Sequence, residues 1–153
     1  MTEPLPSHVQ TVVIGGGVIG TAIAFRLAEL GSPDVVVLER GQLGCGTSWH
    51  AAGNIPLMEN LPETVQLNRL AADLYESFEK EQSIGWKRCG RVTLARTGSR
   101  MTEFGLLIDS ARRAGVDASL MSPQEVGHRL PGFRMDDLGG ALWSPADGRV
   151  CLL

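Results

Sequence analysis

VQTVVIGGGVIG, residues 9–20, is the stretch on which the fold turns. Val12, Val13 and Ile14 form a short β-branched run of the kind that makes a strand buried on both faces. Gly15, Gly17 and Gly20 follow at once as G-x-G-x-x-G, and an alanine-rich helical pattern follows them. Each glycine has a mechanical task. Gly15 permits the tight turn out of the strand, Gly17 lets backbone approach a pyrophosphate, and Gly20 lets the helix lie close to the sheet. The first turn of such a helix directs unpaired N–H groups and a positive dipole end at an anion.

The context strengthens the fingerprint, which in a chain with 19 glycines could otherwise arise by chance. Ala24 continues the small-residue face, and Gly31 stands where a C-terminal cap belongs. Val35–Leu38, VVVL, reads as the next parallel strand. Glu39 closes it at close to the roughly 20-residue spacing expected of a ribose-binding carboxylate. These features predict a Rossmann-like βαβ unit that binds a dinucleotide.

The next stretch, residues 40–54, RGQLGCGTSWHAAGN, is glycine-rich and almost uncharged. Small residues, hydroxyls and backbone N–H groups suit it to lie against a flat ligand bearing phosphates and ring edges. A glycine-rich turn with Trp49 packed into the core fits the composition equally well.

The bulk numbers narrow the function classes. With 153 residues, 43% hydrophobic and 20% charged, the chain suits a soluble domain with a real core. A formal charge of −3 argues against nucleic acid or an anionic membrane as partner. No run approaches the ~18 apolar residues of a membrane span. Cys45, Cys89 and Cys151 are too widely spaced for a metal pattern or a disulfide framework. The start, MTEPLPSHVQ, has no targeting character. Residues 1–8 read as a disordered lead, and a reducing cytoplasm is the expected location.

Beyond the loop the pattern changes. Asn60 to Pro62 make a helix start, and Leu67, Leu70, Ala71, Leu74 and Phe78 form its apolar stripe. Gly90–Arg96 alternates like a half-buried antiparallel strand. Phe104, Leu107, Ile108 and Ala111 mark a second helix ending near Gly115. Ser122-Pro123-Gln124-Glu125 is a capping box opening a short helix to about Leu130. Gly140–Trp143 reads as a strand and Ser144–Gly148, SPADG, as a turn. The expected class is therefore α/β. Residues 9–60 form the nucleotide-binding core and its loop, and 61–153 open an antiparallel α+β substrate domain, with the abrupt apolar end suggesting truncation.

Taken together, VVIGGGVIGTAIAFRLAELG, VVVLER and above all GTSWHAAGN resemble the flavin-dependent amine oxidoreductases of the D-amino-acid oxidase superfamily. The likeness is strongest to dimethylglycine and sarcosine dehydrogenases and continues loosely through GGALWSPADGRV. It covers nearly all of this chain but only the N-terminal part of such an enzyme. The resemblance implies FAD as cofactor, with Val18 and Ile19 lining the pyrophosphate turn and Glu39 on the adenosine ribose with Arg40 beside it. Gly46, Thr47, Ser48, Trp49, His50, Ala51, Ala52, Gly53 and Asn54 would wrap the flavin.

In that family the histidine of this run carries FAD covalently through a ring nitrogen, and His50 is the residue that matches. An ordinary imidazole, with a pKa of about 6.5, offers a neutral nucleophilic nitrogen near pH 7. From the residues alone, His50 reads first as a histidine hydrogen-bonded in a tight loop, and only the resemblance brings the covalent role forward. His8 and His128 read as solvated, Trp49 as packing on flavin or in the core, and Cys45 as lacking a basic neighbour to make it a thiolate.

The resemblance further implies oxidative demethylation of an N-methyl amino acid. Hydride leaves the N-methyl carbon for the flavin, and the iminium is hydrolysed to formaldehyde and the demethylated amine. The substrate is a small amine, the electron acceptor is left open, and no catalytic residue is assigned. A non-catalytic FAD-binding fragment is the second reading, NAD in place of FAD a weaker variant, and the mitochondrial matrix the alternative compartment.

Overall fold

A computed structural model describes residues 6–150. Part of the expected lead, and all of Cys151–Leu153, lie outside the described residues. The chain divides into two compact units, one ending at Ala52 and one beginning at Gly53.

In the first unit, β1 (Thr11–Ile14) and β2 (Val35–Leu38) pair in parallel, with Thr11 opposite Val35 and Ile14 opposite Leu38. Four-residue β-branched strands joined by a helical crossover are what the sequence predicts. The connecting helix α1 (Val18–Glu29) starts at Gly17. It ends in a Schellman motif: Gly31 takes φ +81°, its N–H reaches the Ala28 carbonyl, and the Ser32 N–H reaches the Leu27 carbonyl. Val13 is buried beneath the helix, where a Cβ on Gly20 would stand 3.4 Å from it. A 3₁₀ turn over Thr47–His50 completes the unit.

The second unit runs β3 (Asn54–Ile55), α2 (Pro62–Gln82), β4 (Arg91–Ala95), α3 (Gly98–Arg113), β5 (Ser119–Met121), α4 (Pro123–Arg129), β6 (Gly140–Ser144) and β7 (Gly148–Arg149). An antiparallel sheet has the order β4-β6-β5, and β3 pairs antiparallel with β7. The main core gathers Val65, Trp86, Phe104, Ile108 and Leu142, and a smaller one gathers Met121, Val126 and Ala141.

Residues 53–58 pair within the second unit, through β3 with β7 and through the bond of Leu57 to Asp147. Two expectations need correction. Helix α2 does not bury the stripe read from its leucines: Leu67 and Leu70 are exposed, while Val65 and Ala72 are buried. Polar partners choose that face. Asn68 Nδ2 donates to the Pro56 carbonyl at 2.7 Å, Tyr75 stacks on Trp86, and Glu79 accepts the Trp86 N–H. The short strands β3, β5 and β7 were not expected. The capping box at Ser122 forms as written, with the Ser122 and Glu125 side chains each accepting the other's backbone N–H.

Candidate functional site

Within the first unit the strand β1 ends at Gly15, whose φ of +105° only glycine adopts without strain. Its N–H donates to the Leu38 carbonyl, so the turn leaves the sheet still paired. Gly20 is obligatory for a different reason: a Cβ there would lie 1.9 Å from the Gly15 carbonyl oxygen. The helix therefore crosses directly over the turn, and its first-turn N–H groups collect at the strand's C-terminal end.

Glu39 reaches back across that turn. Its Oε2 accepts the Gly16 N–H at 2.8 Å and its Oε1 the Gly41 N–H at 2.9 Å. These two bonds, Gly16 foremost, hold its carboxyl below the usual carboxylate range. An ionised carboxylate has about four acceptor positions, so two backbone bonds leave capacity for hydroxyl donors. Arg40 lies exposed beside it.

The loop after β2 folds onto the same turn. The Gly44 N–H donates to the Gly16 carbonyl at 2.8 Å, and Ser48 Oγ accepts the Val18 N–H at 2.9 Å. Ser48 thus caps one of the orphan donors of α1 from 30 residues away. Around this junction lies a cleft of about 480 Å³ whose lining includes Gly15, Gly17, Val18, Ile19, Ser48 and Ala51. Gly20 and Thr47 also border it. Its size is in the range of ligand sites, which span about 300–1,000 Å³.

His50 is exposed at the end of the 3₁₀ turn, with Nδ1 3.0 Å from the Gly46 carbonyl oxygen. A carbonyl only accepts, so Nδ1 carries the proton in this bond and the neutral ring keeps its lone pair on Nε2. Trp49 is 60% exposed, which removes the reading that places it in the core. Ala51 and Ala52 are exposed. Gly53 and Asn54 belong to the second unit, where Gly53 is buried with φ +70° and Asn54 pairs with Arg149. His8 and His128 are both exposed.

Gly16, which sequence reasoning passed over, belongs to the same junction. Gly16 is both donor to Glu39 and acceptor from Gly44, and a Cβ on it would stand 2.5 Å from Leu43. The unbroken triplet Gly15-Gly16-Gly17 was the available signal. Among the described residues no group of His, Cys, Asp or Glu is arranged to hold a metal, and no helix is long and apolar enough to cross a membrane.

Residues 10–152 match the family model described as FAD dependent oxidoreductase. The 4-methylaminobutanoate oxidase (formaldehyde-forming) of Paenarthrobacter nicotinovorans is 35% identical over 150 residues, covering 97% of this chain and 18% of that protein. Mitochondrial sarcosine dehydrogenase of Mus musculus is 35% identical over 154 residues, covering 97% and 16%. Among solved structures, L-proline dehydrogenase from P. horikoshii superposes with a TM-score of 0.90 at 27% identity, covering 95% of this chain and 39% of that one. The chain thus spans less than a fifth of the length of these curated relatives.

Proposed function

Because the chain belongs to the family of FAD-dependent oxidoreductases, we propose that its first unit holds FAD as part of an enzyme that oxidatively demethylates an N-methyl amino acid of the sarcosine or dimethylglycine type. The observation that carries this reading is the docking of the residue 44–50 loop on the glycine turn through the Gly44–Gly16 and Ser48–Val18 bonds. A phosphate-cradling turn and an imidazole-bearing loop then border one cleft.

The residues fit the cofactor. Gly15, Gly17 and Gly20 leave the room a pyrophosphate needs; the first-turn N–H groups of Ile19 and Gly20 supply donors for it, while Val18, whose N–H is capped by Ser48, lines the turn. Glu39, ionised and fixed by Gly16 and Gly41, accepts the ribose hydroxyls, with Arg40 at the rim. Gly46, Thr47, Ser48, Trp49, Ala51 and Ala52 would lie along the flavin. His50 would hold the flavin through Nε2, since Nδ1 is committed to the Gly46 carbonyl. When bound, FAD supplies the hydride acceptor that removes two electrons from the substrate C–N unit. The protein's part is position, electrostatics and exclusion of water around a small amine substrate. The compartment we propose is a reducing one, in keeping with free Cys45 and Cys89.

The relatives sharpen the substrate class, because the names of two of them specify N-methylated amino acids. The test is to load the chain with FAD, denature it in acid and separate small molecules. Yellow colour that stays with protein, and leaves it in His50→Ala, is expected. Colour released from the wild-type protein contradicts the covalent role, and failure to take up FAD contradicts the whole reading. Dye reduction with sarcosine or dimethylglycine then separates catalysis from FAD retention without turnover.

A further inference from the structure

A cleft of about 350 Å³ lies wholly within the second unit, where α2, the turn after α3 and the Pro145–Ala146 corner after β6 meet. Its volume is in the range of ligand sites, and the function proposed above gives it no task. Leu57 and Val116, each 3% exposed, supply a buried apolar lining, with Pro145 and Ala146 beside them. The rest of the wall is charged: Arg69, Asp73, Arg88 and Asp117.

The two charges on α2 are the informative pair. Arg69 and Asp73 stand four residues apart on one helix face, where Cβ atoms are roughly 5–6 Å apart and opposite charges ordinarily pair. Here they are drawn apart. Arg69 Nη1 donates to the Ala114 carbonyl at 2.9 Å, while Asp73 Oδ1 accepts Arg88 Nη2 at 3.0 Å. Gly115 leaves room for the first of these bonds, since a Cβ there would stand 3.0 Å from Arg69 Nη1. Arg88 is answered a second time by Glu76, which accepts its Nε at 2.8 Å. Arg69 is held only by a neutral acceptor, makes no ion pair among the described residues, and keeps most of its N–H donors free. Asp117, exposed at the same cleft, makes no side-chain hydrogen bond or ion pair among the described residues. The wall therefore carries a cationic pole at Arg69 and an anionic pole at Asp73 and Asp117.

We propose that this cleft binds a small aliphatic amino acid as its zwitterion, with the carboxylate on Arg69, the ammonium at Asp73 and Asp117, and the hydrocarbon side chain on Leu57 and Val116. A simple anion would face two carboxylates, and a simple cation would face Arg69, so the dipolar form is the one the wall complements. All of these residues belong to the second unit, so binding is expected without FAD.

Saturation-transfer NMR on the methyl groups of L-valine tests this with the whole chain at micromolar concentration and no FAD, while circular dichroism establishes that each variant is folded. Valine is expected to bind saturably, with a dissociation constant on the order of millimolar. Isovalerate, which lacks the ammonium, and isobutylamine, which lacks the carboxylate, are each expected to bind about threefold or more weakly than valine, the scale of an exposed ionic contact. Arg69→Gln and Asp117→Asn are each expected to weaken valine by a similar factor. Both side chains are exposed, so neither change disturbs the core. No saturable transfer from the folded chain, valine bound no better than either analogue, or affinity indifferent to either substitution overturns the proposal.

Discussion

Glu39 commits both carboxylate oxygens to backbone N–H groups, which makes the glycine turn a titratable object. Its folded pKa is depressed, so the ordering it provides is fully present above the ordinary glutamate value of about 4.3 and is lost as pH falls through the lowered folded value. Protection of the Gly16 and Gly41 amides, taken relative to the intrinsic exchange rate at each pH, is expected to be high at neutral pH and to fall as pH drops through the lowered value. In Glu39→Gln that acid dependence disappears and FAD binding weakens; an unchanged acid profile would show that other groups hold the turn. The role of Glu39 was legible because strand end, spacing and acid are local features. The burial of Asp147 was not legible. SPADG reads as a surface turn, and its burial is decided by Leu57 and Arg91, which no spacing rule connects to it.

Helix α1 depends on contact between its backbone and the turn that precedes it. Gly20→Ala places a methyl 1.9 Å from the Gly15 carbonyl, and backbone cannot yield as a flexible side chain does. The helix must shift, at a cost of about 1–3 kcal/mol, and FAD binding is expected to fall by more than about tenfold in fluorescence titration. Ser122→Ala removes a cap on a helix in the other unit. It is expected to lower stability by about 1 kcal/mol in urea unfolding while leaving FAD affinity unchanged. Equal effects of the two substitutions on FAD would mean that affinity only reports global stability. Elements were legible where periodicity had length to work with: α1, α3, α4 and β4 stand where the pattern puts them. In α2 the leucines misled, because Asn68, Tyr75 and Glu79 find partners on the buried face and turn Leu67 and Leu70 outward. Strands of two or three residues carry too few positions for any period to show.

The first unit, taken whole, leaves several large apolar side chains exposed. Ile14 is 85% exposed, Ile19, Ile23 and Leu30 are exposed as well, and α1 has no buried residue. Parallel sheets are ordinarily covered on both faces, and helices apolar on every side are ordinarily interior. The 153-residue chain alone is therefore expected to bind a hydrophobic dye and to self-associate as its concentration rises in sedimentation. Ile14→Lys combined with Ile19→Lys should reduce both effects. A monodisperse, dye-silent chain would contradict this. At this scale the βαβ class and the antiparallel second part were legible from element order, whereas the pairing of β3 with β7 joins residues far apart in the chain and was not. The central claim is that the glycine turn and the His50 loop hold one FAD, and peptide mapping tests it most directly. After incubation with FAD and tryptic digestion, the peptide spanning residues 41–69, which contains His50 and no internal Lys or Arg, is expected to carry flavin absorbance and the added mass. Excess ADP during loading should suppress that labelling; an unmodified peptide, or labelling indifferent to ADP, would contradict the account.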